Sequence, residues 1–463
     1  MTTTNASAFT QLQRGRHEQA RISVFRLASI SVHSRLQIRL GVLAKWLDQP
    51  YPRLVLRVLF ITTPLTFTLI PFIRFLRSGT DMDYRTWYQA GQTVLHGDGI
   101  YPHGQIFPFM YPPMCALMLA VPAFFGKAML ILILSSVNTV AWLLCISFTS
   151  ALISEKRIQN SPIVIANLVV MPFVWSSYHL GQPSLVLLAL MLGAFLSLRH
   201  RRQFLAGALI AVAAAIKAFP FLAIAYLIYR RYWTAAAAVL VSLIILLLIL
   251  PIPFRGWQRT VNDVSEWQRG MLRYEEGGIA QRPARSYSWK NQSIFGLANR
   301  LLRRVSFDGE TNAAVYANVV DLNFRTVNIV IVACALIVGA SFVWAMPRER
   351  SPQSDAGEFA ALLILILMFT PLAFGYLFVW LMVPLALLIK RTIASDDSTL
   401  LTYLLVAYVL LIATGIAPRF AQIYGSLFFA AFALYLALAT NLWHSHLNAR
   451  PARTCGANGQ PAR

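Results

Sequence analysis

Two aspartates follow the first long apolar stretch of the chain. Asp81 and Asp83 come directly after it, in a sequence that has only 18 acidic residues against 40 basic ones. A carboxylate at the edge of a membrane can act as the general base that takes a proton from an attacking hydroxyl. The structural alternative is helix capping, which residue type alone favours, because Asp is also a common N-cap. Both readings stay open, and Asp83 and Asp81 are the candidate catalytic residues.

Several basic residues could hold an anionic phosphate group. Lys217 stands in an apolar stretch that is interrupted at Lys217-Ala218-Phe219-Pro220, where the proline breaks the helix. A lysine at membrane depth often marks a functional site, although near a helix end it can also snorkel to the interface. The other candidate cations are Arg282, Arg285, Lys290 and Arg419. For the loop residues among them, a solvated surface is the default.

The sequence contains no pattern typical of a metal or cofactor site. Glu275 and Glu276 are adjacent rather than facing, and the four cysteines form no CxxC or Cys/His spacing. Neither a Walker motif nor a dinucleotide fingerprint occurs. We therefore predict a reaction that needs no metal ion and no cofactor.

The composition predicts a protein embedded in a membrane. Hydrophobic residues make up 57 % of the 463 residues, and the mean hydropathy is +0.59. Apolar stretches of about 20 residues without strict alternation favour membrane-spanning helices over barrel strands. They lie at about 57–76, 128–152, 161–178, 182–198, 204–230, 234–253, 326–346, 359–372, 375–390, 400–416 and 421–442. The sequence predicts an all-α, polytopic membrane protein with about 11 to 13 transmembrane helices.

The basic residues predict how the chain is threaded. The net charge is +22, and the basic residues lie in short segments beside apolar spans. This position indicates that they set the orientation of the spans and contact anionic head groups, rather than binding nucleic acid. If 204–230 forms two short helices that enter and leave on one side, the basic segments all become cytoplasmic. They are the N-terminal tail, Lys156-Arg157, Arg199 to Arg202, Arg230-Arg231, Arg348 to Arg350, Lys390-Arg391 and the C-terminal tail.

This threading divides the chain into three parts. Residues 1–56 form a basic cytoplasmic tail, in which 21–47 could be an interfacial helix, and 443–463 form a polar cytoplasmic tail. Residues 57–442 form the membrane-embedded domain, with external loops at about 77–112 and 255–325. Most of the unusual polar residues then lie on the external face.

A set of short motifs runs through most of the membrane-embedded domain. They are Asp83-Tyr84, Trp87-Tyr88, Gly97, Tyr101, Tyr111-Pro112-Pro113, Gly181-Gln182, Gly207, Lys217-Ala218-Phe219-Pro220, Asn291-Gln292-Ser293 and Thr370-Pro371. In this order and spacing they resemble glycosyltransferase family 87. The resemblance implies a GT-C fold and a polyprenyl-phosphate-mannose-dependent α-mannosyltransferase-like activity in a bacterial cell envelope. It also implies that Asp83 lies near the acceptor hydroxyl.

A sugar-binding role follows for several polar and aromatic residues. The candidates are Tyr84, Trp87, Tyr88, Tyr111, His179, Gln182, Asn291, Gln292 and Tyr376. The aromatic rings could stack on a sugar, although an interfacial belt is their commoner use. Related enzymes often carry a His after the proline turn, whereas this chain has Tyr376, which can donate only a neutral hydrogen bond.

We therefore predict an inverting glycosyltransferase of the bacterial plasma (inner) membrane. It would transfer a hexose, with mannose favoured, from a polyprenyl phosphate to a lipid or glycan acceptor on the extracytoplasmic face. The alternative from another class is a transporter or lipid flippase, in which broken helices and an intramembrane lysine mark a substrate path. A non-catalytic scaffold for envelope assembly is the third reading.

Overall fold

The computed structural model describes residues 35–101, 109–153, 161–272, 286–308, 314–395 and 397–448, which contain helices and no strand. The α-helices are α1 (35–47), α2 (Pro50–Ser78), α3 (Tyr84–Leu95), α4 (Pro113–Phe124), α5 (Lys127–Ile153), α6 (Ser161–Leu180), α7 (Ser184–Arg199), α8 (Gln203–Ile216), α9 (Ala223–Tyr229), α10 (Trp233–Ile244), α11 (Ile252–Arg255), α12 (Trp257–Trp267), α13 (Ile294–Leu302), α14 (Phe324–Ala345), α15 (Pro352–Phe369), α16 (Met382–Ala394), α17 (Ser398–Ile416), α18 (Pro418–Ile423) and α19 (Ser426–Asn448). Short 3₁₀ segments at Phe219–Leu222 and Gly375–Leu381 precede α9 and α16. Segments of π-helix at Ile245–Ile249 and Gln268–Leu272 follow α10 and α12.

The all-α, polytopic fold is confirmed. Among the described residues, nine helical segments are long and apolar enough to cross a membrane, and four shorter apolar helices accompany them. Every apolar stretch expected from the sequence coincides with helix, and the stretch 204–230 is broken at Lys217 as expected. The sequence analysis missed α4, because its twelve apolar residues are too few to span a bilayer. A possible interfacial helix was predicted at 21–47. Residues 35–47 of it form α1, and residues 21–34 lie outside the described residues.

The basic turns gather at one end of the helix bundle. Arg199 donates to the Leu152 and Pro352 carbonyl oxygens at 2.9 and 2.8 Å. Lys390 donates to the Ile153 carbonyl oxygen, and Arg391 donates to the Gln353 carbonyl oxygen at 2.9 Å. The Leu152 and Ile153 carbonyl oxygens lie at the C-terminal end of α5, where a cation also complements the helix dipole, whereas Pro352 and Gln353 begin α15.

The candidate functional residues lie at the other end of the same helices. Helix α6 begins at Ser161, whose hydroxyl donates to Asp48 at 3.1 Å, and ends beside His179 and Leu180. Its 20 residues span about 30 Å, the thickness of a bilayer core. Helix α7 runs back from the turn at Gly181 to Arg199 at the basic end. In the described part of the bundle, these basic turns and the polar motifs lie at opposite ends of the helices.

A tight turn between α6 and α7 presents the next polar motif. Gly181 has φ +71°, a left-handed conformation that glycine adopts readily. A Cβ atom built on it would lie 2.8 Å from the Tyr84 ring. Tyr84 is buried, and its hydroxyl donates to the Tyr178 carbonyl oxygen at 2.8 Å. This packing fixes the start of α3 against the turn that carries Gln182.

Candidate active site

Asp83 faces a glutamine rather than capping its own helix. It occupies the N-cap position of α3, but its side chain makes no capping hydrogen bond. Instead the Gln182 side-chain amide donates to Asp83 Oδ2 at 2.6 Å. The Tyr111 hydroxyl in turn donates to Gln182 Oε1 at 2.9 Å, which fixes the orientation of the amide. The other carboxylate oxygen of Asp83 has no hydrogen bond within the described residues, so it can accept one from a ligand.

Asp81 forms ion pairs with two basic side chains. It is buried, and its carboxylate contacts Lys127 Nζ at 2.9 Å and an Arg85 Nη atom at 3.1 Å. Burial alone would raise the pKa of Asp81, but hydrogen bonds and charge from Lys127 and Arg85 lower it below its ordinary value. Asp81 therefore ties the start of α3 to α5, and its carboxylate is already neutralised.

Lys217 is held in a cage of aromatic rings. It follows α8 in an extended conformation, with φ −149° and ψ 123°. Its ammonium lies 5.0 Å from the centre of the Tyr376 ring, 5.3 Å from Tyr111 and 5.8 Å from Phe219. It donates to the Tyr376 hydroxyl at 3.4 Å, and no carboxylate pairs with it in the part of the chain that the structure describes. Cation–π contacts of this kind hold a cation without neutralising it.

These residues form one continuous group, which we call the Asp83–Lys217 cluster: Asp83, Tyr111, Gln182, Lys217 and Tyr376. Tyr111 joins its two halves, because its hydroxyl contacts Gln182 and its ring contacts the Lys217 ammonium. The five residues come from five separate segments, each at a helix end. The cluster thus brings a partly free carboxylate and an unpaired ammonium to the same end of the bundle.

Three further aromatic candidates belong to α3, and one of them contacts the Asp83–Lys217 cluster. The ring of Trp87 packs against Tyr111 at 4.4 Å between centroids, and its buried indole nitrogen has no hydrogen-bond partner within the described residues. The Tyr88 ring lies 5.5 Å from the Lys127 ammonium. Tyr84 is fully enclosed by protein contacts, as described above. Of the three, only Trp87 contacts the Asp83–Lys217 cluster and still has a polar atom to offer.

His179 is engaged by an arginine from α2. Arg74 contacts the ring nitrogen Nδ1 of His179 at 2.8 Å and donates to its carbonyl oxygen at 3.2 Å. Because an arginine only donates, Nδ1 must accept, so the described geometry requires a neutral imidazole. His179 therefore links α6 to α2 and does not belong to the Asp83–Lys217 cluster.

Asn291 and Gln292 are buried in contacts with the main chain. The Asn291 amide donates to the Pro371 carbonyl oxygen at 3.0 Å, and its oxygen accepts from the Ala373 N–H at 2.9 Å. The Gln292 amide donates to the Gln422 carbonyl oxygen at 2.7 Å. Both side chains are wholly inaccessible to solvent. Asn291 fastens the segment before α13 to the turn before α16, and Gln292 fastens it to α18; the buried Gln292 Oε1 atom has no hydrogen bond within the described residues.

The remaining predicted cations do not join the cluster. Arg419 is paired with Asp308 at 2.5 Å, and the Lys290 ammonium lies 5.3 Å from the Trp289 ring. Arg282 and Arg285 lie outside the described residues. Among the described residues, no group of three or more His, Cys, Asp or Glu side chains comes together as a metal site would require.

Three residues with structural roles around the site escaped the sequence analysis. Phe219 supplies a third ring to the Lys217 cage, Lys127 neutralises Asp81, and Arg300 is buried in α13. Lys127 is a basic residue at the start of a long apolar helix, but nothing in the sequence pairs it with Asp81. Nothing in the sequence distinguishes Arg300 from its neighbours Arg303 and Arg304.

The chain was compared with known families and structures. The model of glycosyltransferase family 87 matches residues 109–375, more than half of the chain. The chain belongs to glycosyltransferase family 87. This enzyme therefore transfers a sugar, and the match favours the transferase prediction over the transporter and scaffold alternatives. The matched region includes Tyr111, Gln182 and Lys217, and it begins after Asp83.

Searches of curated proteins and of solved structures complete the comparison. No curated protein matches the family 87 chain. Among solved structures, apo ArnT from Cupriavidus metallidurans shares 14 % identity and a TM-score of 0.40, covering 87 % of this chain and 79 % of ArnT. The same protein bound to undecaprenyl phosphate shares 15 % identity and a TM-score of 0.39, covering 85 % of this chain and 78 % of ArnT.

Proposed function

We propose that this glycosyltransferase moves a hexose, with mannose as the first candidate, from a polyprenyl phosphate to a lipid or glycan acceptor. The observation that carries the proposal is that Gln182 and Tyr111 connect the Asp83 carboxylate to the Lys217 ammonium. Transfer from a sugar phosphate requires a base for the acceptor proton and a cation for the phosphate that leaves. The Asp83–Lys217 cluster offers one of each, and neither charge is neutralised by the other.

The proposed reaction is a single displacement at the sugar C1 atom. The acceptor oxygen forms a bond to C1 while Asp83 accepts the hydroxyl proton. The bond from C1 to the phosphate oxygen breaks, and its electron pair leaves with the polyprenyl phosphate. Lys217 stabilises the negative charge that develops on this phosphate, because a preorganised ammonium in a water-poor cage needs little reorganisation. One displacement inverts the configuration at C1.

The position of the basic turns between the helices supports an external active site in a bacterial inner membrane. The basic turns lie at the end opposite to the Asp83–Lys217 cluster, and basic segments mark the cytoplasmic side. Nucleotide sugars are not available outside the cytoplasm. An activated sugar on that side must therefore arrive on a lipid carrier, and a phosphate group is what the Lys217 ammonium can bind.

Transfer by the purified protein in nanodiscs tests the donor and the sugar. We expect product from polyprenyl-phosphate-mannose with membrane lipid extract as acceptor, and none from GDP-mannose. Polyprenyl-phosphate-glucose and polyprenyl-phosphate-galactose are the matched donors that test the choice of mannose. Transfer from GDP-mannose alone would contradict the lipid-linked donor. Faster transfer from another lipid-linked sugar would replace mannose and leave the rest of the proposal intact.

Paired cysteine variants test the side of the membrane on which the cluster lies. Ser78→Cys is exposed near the cluster, and Ser395→Cys is exposed at the basic end. In a background in which Cys455 is replaced by serine, a membrane-impermeant maleimide added to intact spheroplasts should label only position 78. Position 395 should react only after the membrane is opened. The reverse pattern would contradict an external active site.

A further inference from the structure

Arg300 is a buried arginine whose hydrogen bonds all go to main-chain carbonyl oxygens. It lies in α13 with none of its surface exposed. One Nη atom donates to the Ser288 and Asn291 carbonyl oxygens, both at 2.7 Å. Nε and the other Nη atom donate to the Ile423 and Gln422 carbonyl oxygens, both at 3.2 Å. A buried guanidinium is costly unless its donors are satisfied, and no carboxylate pairs with this one among the described residues.

The planar, five-donor guanidinium joins two parts of the chain that are distant in sequence. Its bonds hold the segment before α13 on one side and the end of α18 on the other. The surrounding packing is tight, because a Cβ atom on Gly296 would lie 2.6 Å from the Asn291 carbonyl oxygen. A Cβ atom on Gly425, after α18, would lie 2.7 Å from the Leu297 side chain. The position of residues 288–293 therefore depends on Arg300.

The same segment fastens the turn that leads to the active site. Besides the two bonds of the Asn291 side chain, the Gln292 N–H donates to the Ala373 carbonyl oxygen at 2.7 Å. The Ser293 hydroxyl donates to the Pro371 carbonyl oxygen at 3.1 Å. Four hydrogen bonds thus connect residues 291–293 with residues 371–373.

Tyr376 follows this turn directly. Its ring and hydroxyl form one wall of the aromatic cage around Lys217. We propose that Arg300 is a positioning residue for glycosyl transfer: it fixes residues 288–293, these fix residues 371–373, and the turn holds Tyr376 against the Lys217 ammonium. The inference rests on the proposed phosphate-binding role of Lys217. Arg300 itself does not touch the substrate.

Arg300→Lys is the decisive variant. Lysine keeps the charge, but its single ammonium cannot reach the carbonyl oxygens of both segments at once. We expect kcat/KM for the lipid-linked donor to fall about tenfold in this variant. Arg304→Lys is the matched control, because Arg304 is exposed just beyond the same helix, and it should keep the wild-type rate.

A double-mutant cycle with Lys217→Met distinguishes positioning from general damage. If Arg300 acts through Lys217, adding Arg300→Lys to Lys217→Met should lower the remaining rate by less than about twofold, because coupled residues are not additive. A full further tenfold loss in that background would overturn the proposal. A merely structural role predicts the full loss, since damage to the fold does not depend on Lys217.

Hydrogen–deuterium exchange gives a readout that needs no substrate. In Arg300→Lys, peptides that cover 286–302 and 368–378 should both exchange faster than in the wild type and in Arg304→Lys. Faster exchange in the first peptide alone would show that Arg300 does not control the turn, and would overturn the proposal. If the wild type transfers no sugar from any lipid-linked donor, the proposed function fails, and the exchange data still decide whether Arg300 positions the turn.

Discussion

Replacing Asp83 by asparagine should abolish most sugar transfer and leave the protein folded. Asparagine has almost the same shape and can still accept the hydrogen bond from Gln182, but it cannot take a proton at neutral pH. Loss of a general base typically lowers a rate by about 10²- to 10⁴-fold. Initial rates of transfer from the lipid-linked donor in nanodiscs measure the effect, and thermal unfolding in detergent checks that the variant is folded.

Asp81→Asn is the matched control for this variant. It removes the same charge two residues earlier, where the carboxylate pairs with Lys127 and Arg85. Because that change breaks a buried ion pair, we expect a lower unfolding temperature but substantial turnover per folded molecule. The opposite result, in which Asp81→Asn is inactive and Asp83→Asn is active, would assign the base to Asp81 and contradict the proposed mechanism.

Replacing Lys217 by methionine should remove activity without loss of stability. The methionine side chain has similar length and fills the space between the Tyr111, Phe219 and Tyr376 rings. It also removes an ammonium that has no carboxylate partner among the described residues, so the free energy of unfolding should stay equal or rise. Without a cation for the leaving phosphate, kcat/KM should fall by about 10²- to 10³-fold, the range for loss of one preorganised electrostatic contact.

The combination of lost activity and retained stability distinguishes function from structure. A lysine that only snorkels to the interface predicts wild-type transfer in Lys217→Met, and that result would contradict the phosphate-binding role. Lys217→Arg offers a second comparison, because it restores the charge with a bulkier, planar group. We expect it to recover part of the activity, since the cage of three rings is fitted to an ammonium.

Much of the architecture could be predicted because its physical cause is local. The eleven apolar stretches became helices, and Pro220 and Lys217 marked the break after α8, since a bilayer selects helical segments by length and composition. The family was also accessible from sequence, because its motifs keep their order. Helix α4 was missed for the same reason: with twelve apolar residues, it does not meet the length criterion.

Side-chain roles were harder to predict, as a comparison of Gln182 with Gln292 illustrates. Gln182 and Gln292 were both selected as polar residues at the same end of the bundle. In the structure Gln182 faces Asp83, whereas Gln292 donates to main-chain carbonyl oxygens inside the protein. An amide satisfies either kind of partner equally well, so residue type cannot distinguish them. Only the course of the surrounding chain does.

The order of the motifs resembles that of family 87, and composition and spacing were enough to predict a many-spanning helical membrane protein with a helix break at Lys217. Such properties follow from hydropathy, helix breaking and charge, which act within a few residues. The proposals that Asp83 rather than Asp81 is the base, that Lys217 binds phosphate and that Arg300 is a positioning residue required the folded chain. Each depends on which partner reaches the side chain from a distant segment, and that partner decides whether a charge is neutralised or left available.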